Sequence, residues 1–168
     1  MRQPCGCLEM LGYGWGRVIK VKTMNLFLMR HGDAAVAYPD NDRCLSEQGL
    51  QEVDSAAQQL LKRKVHIACI YHSRMLRTQQ TAEILAKHLQ VKCIKKAAGL
   101  LPTDAVDNIL RKIPTWTENT LLVTHLPYLQ RLMIALAADD SLHIEFNTAT
   151  IVCLKQVSGK WEVDFVVV

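Results

Sequence analysis

The chain has 168 residues, 49% of them hydrophobic and 21% charged, enough for one sizeable core and too little for two ordinary domains. Its formal net charge is only +4, and apart from Lys62-Arg63-Lys64 and Lys95-Lys96 the basic residues are dispersed; such runs are solvated faces or contacts for an acidic protein partner. The charge and the lack of interleaved aromatics exclude a nucleic-acid partner as a reading, and no segment approaches transmembrane length, so no membrane association is expected either.

Residues 1–23 crowd Gly6, Gly12, Gly14 and Gly16 among Cys5, Cys7, Tyr13 and Trp15. Glycines interrupt every apolar stretch that a secretory signal needs. This segment is expected to be a flexible, dispensable N-terminal extension, with a single domain over residues 24–168. After Met24, Leu26-Phe27-Leu28-Met29 predicts a buried strand over 25–30 that ends on Arg30-His31-Gly32. Asp40 and Asp42, in Pro39-Asp40-Asn41-Asp42, read as a solvated loop near the pocket and not as ligands. Ser46 is suited to cap a helix over 46–63, where Leu50, Val53, Ala57 and Leu60 share one face. A strand over 67–72 follows, then Ser73 as the cap of a helix over 74–90, a strand over 91–94 and a helix over about 103–113.

The strand expected at 120–124 delivers His125, and Pro127 suits the first turn of a helix over 127–138. Strands over 149–157 and 161–167 flank Ser158-Gly159, a hairpin turn. Alternation of strands and helices defines the class as α/β: a three-layer α/β/α arrangement with a mostly parallel central sheet and an antiparallel edge.

Cysteines stand at positions 5, 7, 44, 69, 93 and 153, with no pair at the spacing of zinc ribbons or redox motifs. No metal, cofactor or disulfide framework is expected. Cys69 and Cys153 fall in strand-like runs and read as buried thiols, which suits a reducing, cytoplasmic setting.

Three strand exits each supply a group suited to an oxyanion: Arg30 with His31, Arg77 and His125. Phosphoryl transfer needs an in-line nucleophile and positive donors around the equatorial oxygens. A neutral imidazole can attack phosphorus and carry it, and guanidinium forks can hold the oxygens, so Arg30→Lys is expected to be damaging. On position alone Arg77 reads as a solvated first-turn residue; the Arg-His-Gly triplet reverses that. His125 should be protonated to act as a phosphate donor; two arginines oppose that and a bound anion favours it, so its charge stays open. Gly32 and Asp33 are secondary site residues, with Asp33 placed to cap a turn or orient a loop.

Met29-Arg30-His31-Gly32-Asp33-Ala34, Arg43-Cys44-Leu45-Ser46-Glu47-Gln48-Gly49, Ser73 to Arg77 with Gln80-Thr81-Ala82, and Thr124-His125-Leu126-Pro127 occur in one order. In this the chain resembles the histidine phosphatase superfamily, with its phosphoglycerate-mutase-like fold, and within it the short phosphohistidine phosphatases of the SixA type. The resemblance covers Met24 to about Val168. It implies that His31 is the nucleophile, forming a covalent phosphohistidine, and that Arg30, Arg77 and His125 complete the phosphate pocket.

The chain departs from mutases and many phosphomonoesterases of that fold, which carry a carboxylic acid after the third strand to protonate a departing alkoxide. Here Ala97-Ala98-Gly99-Leu100-Leu101-Pro102-Thr103-Asp104 holds no glutamate, and Asp104 lies beyond Pro102. The helical insertion with which mutases cover sugar phosphates is missing too. An imidazole can leave without a strong enzyme acid, whereas an alcohol leaves poorly. The expected substrate is therefore a phosphohistidine on a protein, a phosphotransfer domain or phosphocarrier, in signal transduction. A small-molecule phosphomonoesterase using Asp104 is the alternative, and a non-catalytic phosphoprotein-binding module is the third reading.

Overall fold

A computed structural model describes residues 24–139 and 143–168; the expected 1–23 extension, with Cys5 and Cys7, lies outside the described residues. Six strands form one sheet: β1 (Asn25–Arg30), β2 (Cys69–His72), β3 (Cys93–Lys96), β4 (Thr120–Thr124), β5 (Ile151–Val157) and β6 (Lys160–Val167), in the spatial order β3-β2-β4-β1-β5-β6. The first four in that order are parallel, and β5 and β6 run antiparallel at one edge, as the sequence pattern implies. Ser158 and Gly159, at φ 51° and 83°, form the β5-β6 turn, whose two positive φ angles suit the twist of a tight hairpin.

Alternation along β1 divides the core. Phe27 and Met29 pack with Val53, Ala57 and Leu60 of α1 (Glu47–Lys62) and with Ala82 and Leu85 of α2 (Leu76–Leu89). Leu26 and Leu28 face the other way, onto Ile109 of α3 (Asp107–Leu110) and Tyr128, Leu129, Leu132 and Met133 of α4 (Tyr128–Ala137). Helices thus cover both faces. Strand exits, helix starts and connecting loops gather at the carboxyl ends of β1, β2 and β4, where an open parallel sheet leaves room for a ligand.

Several expectations about the elements need correction, among them Leu50, which is exposed and does not join the buried face of α1. The helix over about 103–113 is one turn, Asp107–Leu110, followed by a 3-10 turn at Ile113–Thr115, because the Asp104 carboxylate caps a Leu101–Asp104 turn first and Pro114 cannot donate to a helix. Strand β3 lies two residues later than expected because Val91 stays buried in the core against α2 after Gln90 ends that helix in the left-handed conformation. Cys69 is no buried thiol: it is disulfide-bonded to Cys93. The parallel β2-β3 register sets the two directly opposite each other, with Cα atoms 4.6 Å apart. Cys153 is a buried free cysteine, whereas Cys69, being disulfide-bonded, does not speak for a reducing compartment.

Candidate active site

Arg30 is the last residue of β1 and His31 the first beyond it, while His125 follows β4 directly. Because β1 and β4 are parallel neighbours with Arg30 opposite Thr124, and the His31 N–H donates to the Thr124 carbonyl at 3.2 Å, the two histidines emerge side by side. Their ring centroids are 5.0 Å apart, with the planes inclined at 61°. Arg77, in the first turn of α2, reaches across to place its Nε–H 3.3 Å from His31 Nε2. All four residues singled out in the sequence are brought to one place.

His31 Nδ1 lies 2.7 Å from the Gly32 carbonyl oxygen. A carbonyl only accepts, so Nδ1 carries the proton and the neutral ring presents its lone pair at Nε2. Burial, with Arg77 and Arg30 adding repulsion against the Gly32 hydrogen bond, lowers the His31 pKa from 6.5 to about 4. Burial, His31 and Arg77 lower that of His125 to about 3. Both rings are therefore neutral at pH 7, which resolves the charge left open for His125 in the unliganded site. Arg30 Nη1 donates to the Phe146 carbonyl at 2.9 Å, whereas Arg30 Nε and His125 Nδ1 are buried without a hydrogen-bond partner. Buried polar groups left in that state cost stability unless a ligand satisfies them, and both belong to the cluster around His31.

Supporting residues explain how the cluster is held. Ser73 does not cap α2, which starts at Leu76 after Met75; its hydroxyl instead lies 2.7 Å from His125 Nε2 and 2.8 Å from Thr78 Oγ1. This role was not legible, because the capping reading accounted for the serine. Gly32 is dictated by close approach: a Cβ there would lie 2.6 Å from the Gly49 carbonyl oxygen and 2.8 Å from Val53 Cγ2. Asp33 is architectural, accepting from the Ser46 hydroxyl at 2.5 Å while its N–H donates to Glu52 at 2.9 Å. Ser46 caps α1 as expected, accepting from Gly49 N–H at 3.0 Å.

Asp40 lies in an exposed loop near the pocket, as expected, but its hold on Arg77 was not: it takes Arg77 Nη2 on its carboxylate at 3.1 Å and Nη1 on its backbone oxygen at 2.9 Å. Burial opposes its charge, but the hydrogen bonds from Arg77 and Arg43 outweigh that and hold its pKa below the ordinary value.

Asp104 and Arg74 line a cavity of about 520 Å³ with Lys96, Ala97, Ala98, Gly99 and Leu101. The Asp104 carboxylate accepts from Leu101 N–H at 2.8 Å, and the neighbouring Leu100 carbonyl accepts from Thr124 Oγ1 at 2.7 Å. Among the described residues no group of three or more His, Cys, Asp or Glu side chains is placed to hold a metal ion, and no helix is long and apolar enough to cross a membrane.

The carboxyl edge of this α/β sheet thus gathers a neutral imidazole with its lone pair at Nε2, a second imidazole and two guanidinium groups, a set chemically suited to a tetrahedral oxyanion. A family model of the histidine phosphatase superfamily (branch 1) matches residues 26–100. The phosphohistidine phosphatase SixA of Escherichia coli is 30% identical over 124 residues, covering 70% of this chain and 77% of that protein. An uncharacterized protein of Picosynechococcus is 32% identical over 150 residues, covering 82% and 88%. Among solved structures, the protein histidine phosphatase SixA complexed with tungstate superposes with a TM-score of 0.76 at 27% identity, over 85% of this chain and 96% of that one. This chain belongs to the histidine phosphatase superfamily, and its coarse activity is that of a phosphatase.

Proposed function

We propose that the protein hydrolyses phosphohistidine on a protein, a phosphotransfer domain or phosphocarrier, through a covalent phosphohistidine on His31. The lone pair of His31 Nε2 attacks phosphorus as the bond from phosphorus to the substrate imidazole breaks, and that imidazole, carrying a proton from solvent on its other nitrogen, leaves as a neutral ring. Water then attacks the phosphoryl group on His31, releasing inorganic phosphate and restoring the free ring. Arg30 and Arg77 bind the equatorial oxygens, and His125 donates through Nδ1. No step calls for a metal or cofactor. Splitting the displacement in two lets one preorganised set of donors serve both halves.

One observation carries the choice of substrate: Asp104, the only carboxylate in residues 97–104, already accepts from Leu101 N–H at 2.8 Å as the cap of its own turn. That contact commits the Asp104 side chain to its own turn, and a phosphoramidate needs an enzyme proton donor less than an ester does. The similarity to SixA supports the same reading. On this reading the enzyme acts opposite a histidine kinase relay or a phosphocarrier in signal transduction, in the cytoplasm. Because Asp104 also lines the cavity beside Arg74, a small-molecule phosphomonoesterase using Asp104 as acid is the second reading.

The test is phosphate release from a histidine-phosphorylated phosphotransfer domain beside a small phosphate monoester, with wild type and His31→Ala and no added metal. Preference for the phosphohistidine, abolished in the variant, is expected. Fast turnover of the monoester alone, lost by about 10² or more in Asp104→Asn, would overturn the reading in favour of the second. Acid-labile phosphate on His31 during turnover distinguishes both from a module that only binds phosphoproteins.

A further inference from the structure

Arg77 is nearly buried, its side chain 7% exposed, and each of its three nitrogens is engaged. Nε donates to His31 Nε2 at 3.3 Å, Nη1 to the Asp40 backbone oxygen at 2.9 Å and Nη2 to Asp40 Oδ2 at 3.1 Å. A guanidinium has five N–H bonds, so one on each Nη remains for a ligand. The other carboxylate oxygen of Asp40 accepts from Arg43 Nη1 at 3.3 Å. Arg43 is itself pinned, with Nε donating to the Ala35 carbonyl at 2.9 Å and Nη2 to the Ala34 carbonyl at 3.0 Å. Ala34 forms an antiparallel bridge with Leu45, and Ala35 N–H donates to the Cys44 carbonyl at 3.0 Å.

These contacts close a circuit. It runs from His31 along the chain to Ala34 and Ala35, across to Arg43, on to Asp40, then to Arg77 and back to His31 Nε2. We propose that Asp40, held in turn by Arg43, is a positioning residue that clamps both Nη groups of Arg77 and so aims its Nε edge at the reacting nitrogen of His31. The inference rests on the proposed role of His31, and it gives the loop over residues 36–43 a part in the reaction.

Two physical points support a positioning role over a structural or blocking one. The Asp40 side chain is 55% exposed, and an ion pair that open to water adds little stability. Its value must then lie in geometry. A blocking carboxylate has no need of a second contact through its own backbone, whereas a two-point hold fixes the plane of the guanidinium. Misplacing a binding group by about 1 Å can cost up to 10² in rate.

The experiment uses the full chain with phosphoramidate, a small substrate open to either substrate reading, so its outcome is separate from the question of a protein substrate. Asp40→Ala should lower kcat by about tenfold or more, with the melting temperature nearly unchanged. Asp40→Asn keeps the backbone oxygen and one side-chain acceptor and should stay within about threefold of wild type. In an Arg77→Ala background Asp40→Ala should add no further loss, because contacting residues that act through one another are not additive. In 15N-arginine spectra, the Arg77 Nε–H signal should be sharp in wild type and Asp40→Asn and broadened in Asp40→Ala, a readout independent of turnover. An unchanged Nε–H signal in Asp40→Ala would overturn the proposal. So would Asp40→Ala as fast as wild type or faster, Asp40→Asn as slow as Asp40→Ala, or an equal loss in the Arg77→Ala background.

Discussion

Acid should destabilise this protein through two particular side chains. In the unfolded chain both imidazoles titrate near 6.5, whereas the folded pocket keeps His31 neutral to about 4 and His125 to about 3. Below pH 6.5 the unfolded chain therefore binds more protons than the folded one. The stabilising contribution is complete above the unfolded value and is lost as pH falls toward the folded ones. Integrated from pH 7.5 to pH 5, the loss is about 2 kcal/mol for each ring. At roughly 2 to 4 °C per kcal/mol for a domain of this size, the two together should lower the melting temperature by about 8 to 16 °C. Thermal melts of wild type and His31→Asn/His125→Asn at both pH values isolate the effect, because His66, His72, His88 and His143 are common to both proteins. The double variant should lose that much less on acidification. If its melting temperature falls as steeply as that of wild type, the two rings are not held neutral by the fold.

Gly32→Ala forces a Cβ to within 2.6 Å of backbone oxygen and 2.8 Å of Val53; overpacking of this kind costs about 1 to 3 kcal/mol and displaces His31, so calorimetry should show a fall of several degrees and turnover should collapse, and an unchanged melting temperature would refute the fit. Ser73→Ala leaves buried His125 Nε2 unpaired, a loss of about 1 to 3 kcal/mol that should lower kcat roughly tenfold or more, with KM less affected; kcat within twofold of wild type would remove Ser73 from the site. Arg30→Lys cannot reproduce both the hydrogen bond to the Phe146 carbonyl and a fork toward phosphate, so inhibition by inorganic phosphate should weaken about tenfold or more, and an unchanged inhibition constant would contradict the assignment.

The sheet was legible because Leu26-Phe27-Leu28-Met29 and Leu121-Leu122-Val123 are continuous apolar runs, the mark of strands buried on both faces. His31 and His125 follow those runs, so their place at the carboxyl edge came with the strands. What stayed hidden depends on register and loop path. Cys69 and Cys93 are 24 residues apart with no motif between them, and they meet only because β2 and β3 pair in one register. Asp40 follows a proline in a polar stretch that any exposed loop could have, and nothing local tells that its backbone turns toward Arg77. Ser73 misled for the opposite reason: a serine before a helical run has a sufficient local explanation, so its tertiary partner could not be guessed. Where local propensity already accounts for a residue, sequence gives no further signal of a long-range contact.

Two chemically identical side chains 5.0 Å apart are suited to different proposed tasks by their partners alone. His31 Nδ1 is committed to the Gly32 carbonyl, and its Nε2 faces the guanidinium edge of Arg77. Burial chiefly keeps a proton off the ring, with Arg77 and Arg30 adding to the effect, so it stays a nucleophile. His125 is tied at Nε2 to Ser73, and its Nδ1 has no partner. What keeps a proton off it is chiefly desolvation, with His31 and Arg77 adding to the effect, and a phosphoryl oxyanion beside Nδ1 offsets that by opposite charge. The anion that His31 is to attack is thus the same group that would charge His125. The division of labour lies in which ring nitrogen is held: the Gly32 carbonyl, just beyond β1, takes Nδ1 of His31, and the Ser73 hydroxyl, just beyond β2, holds Nε2 of His125.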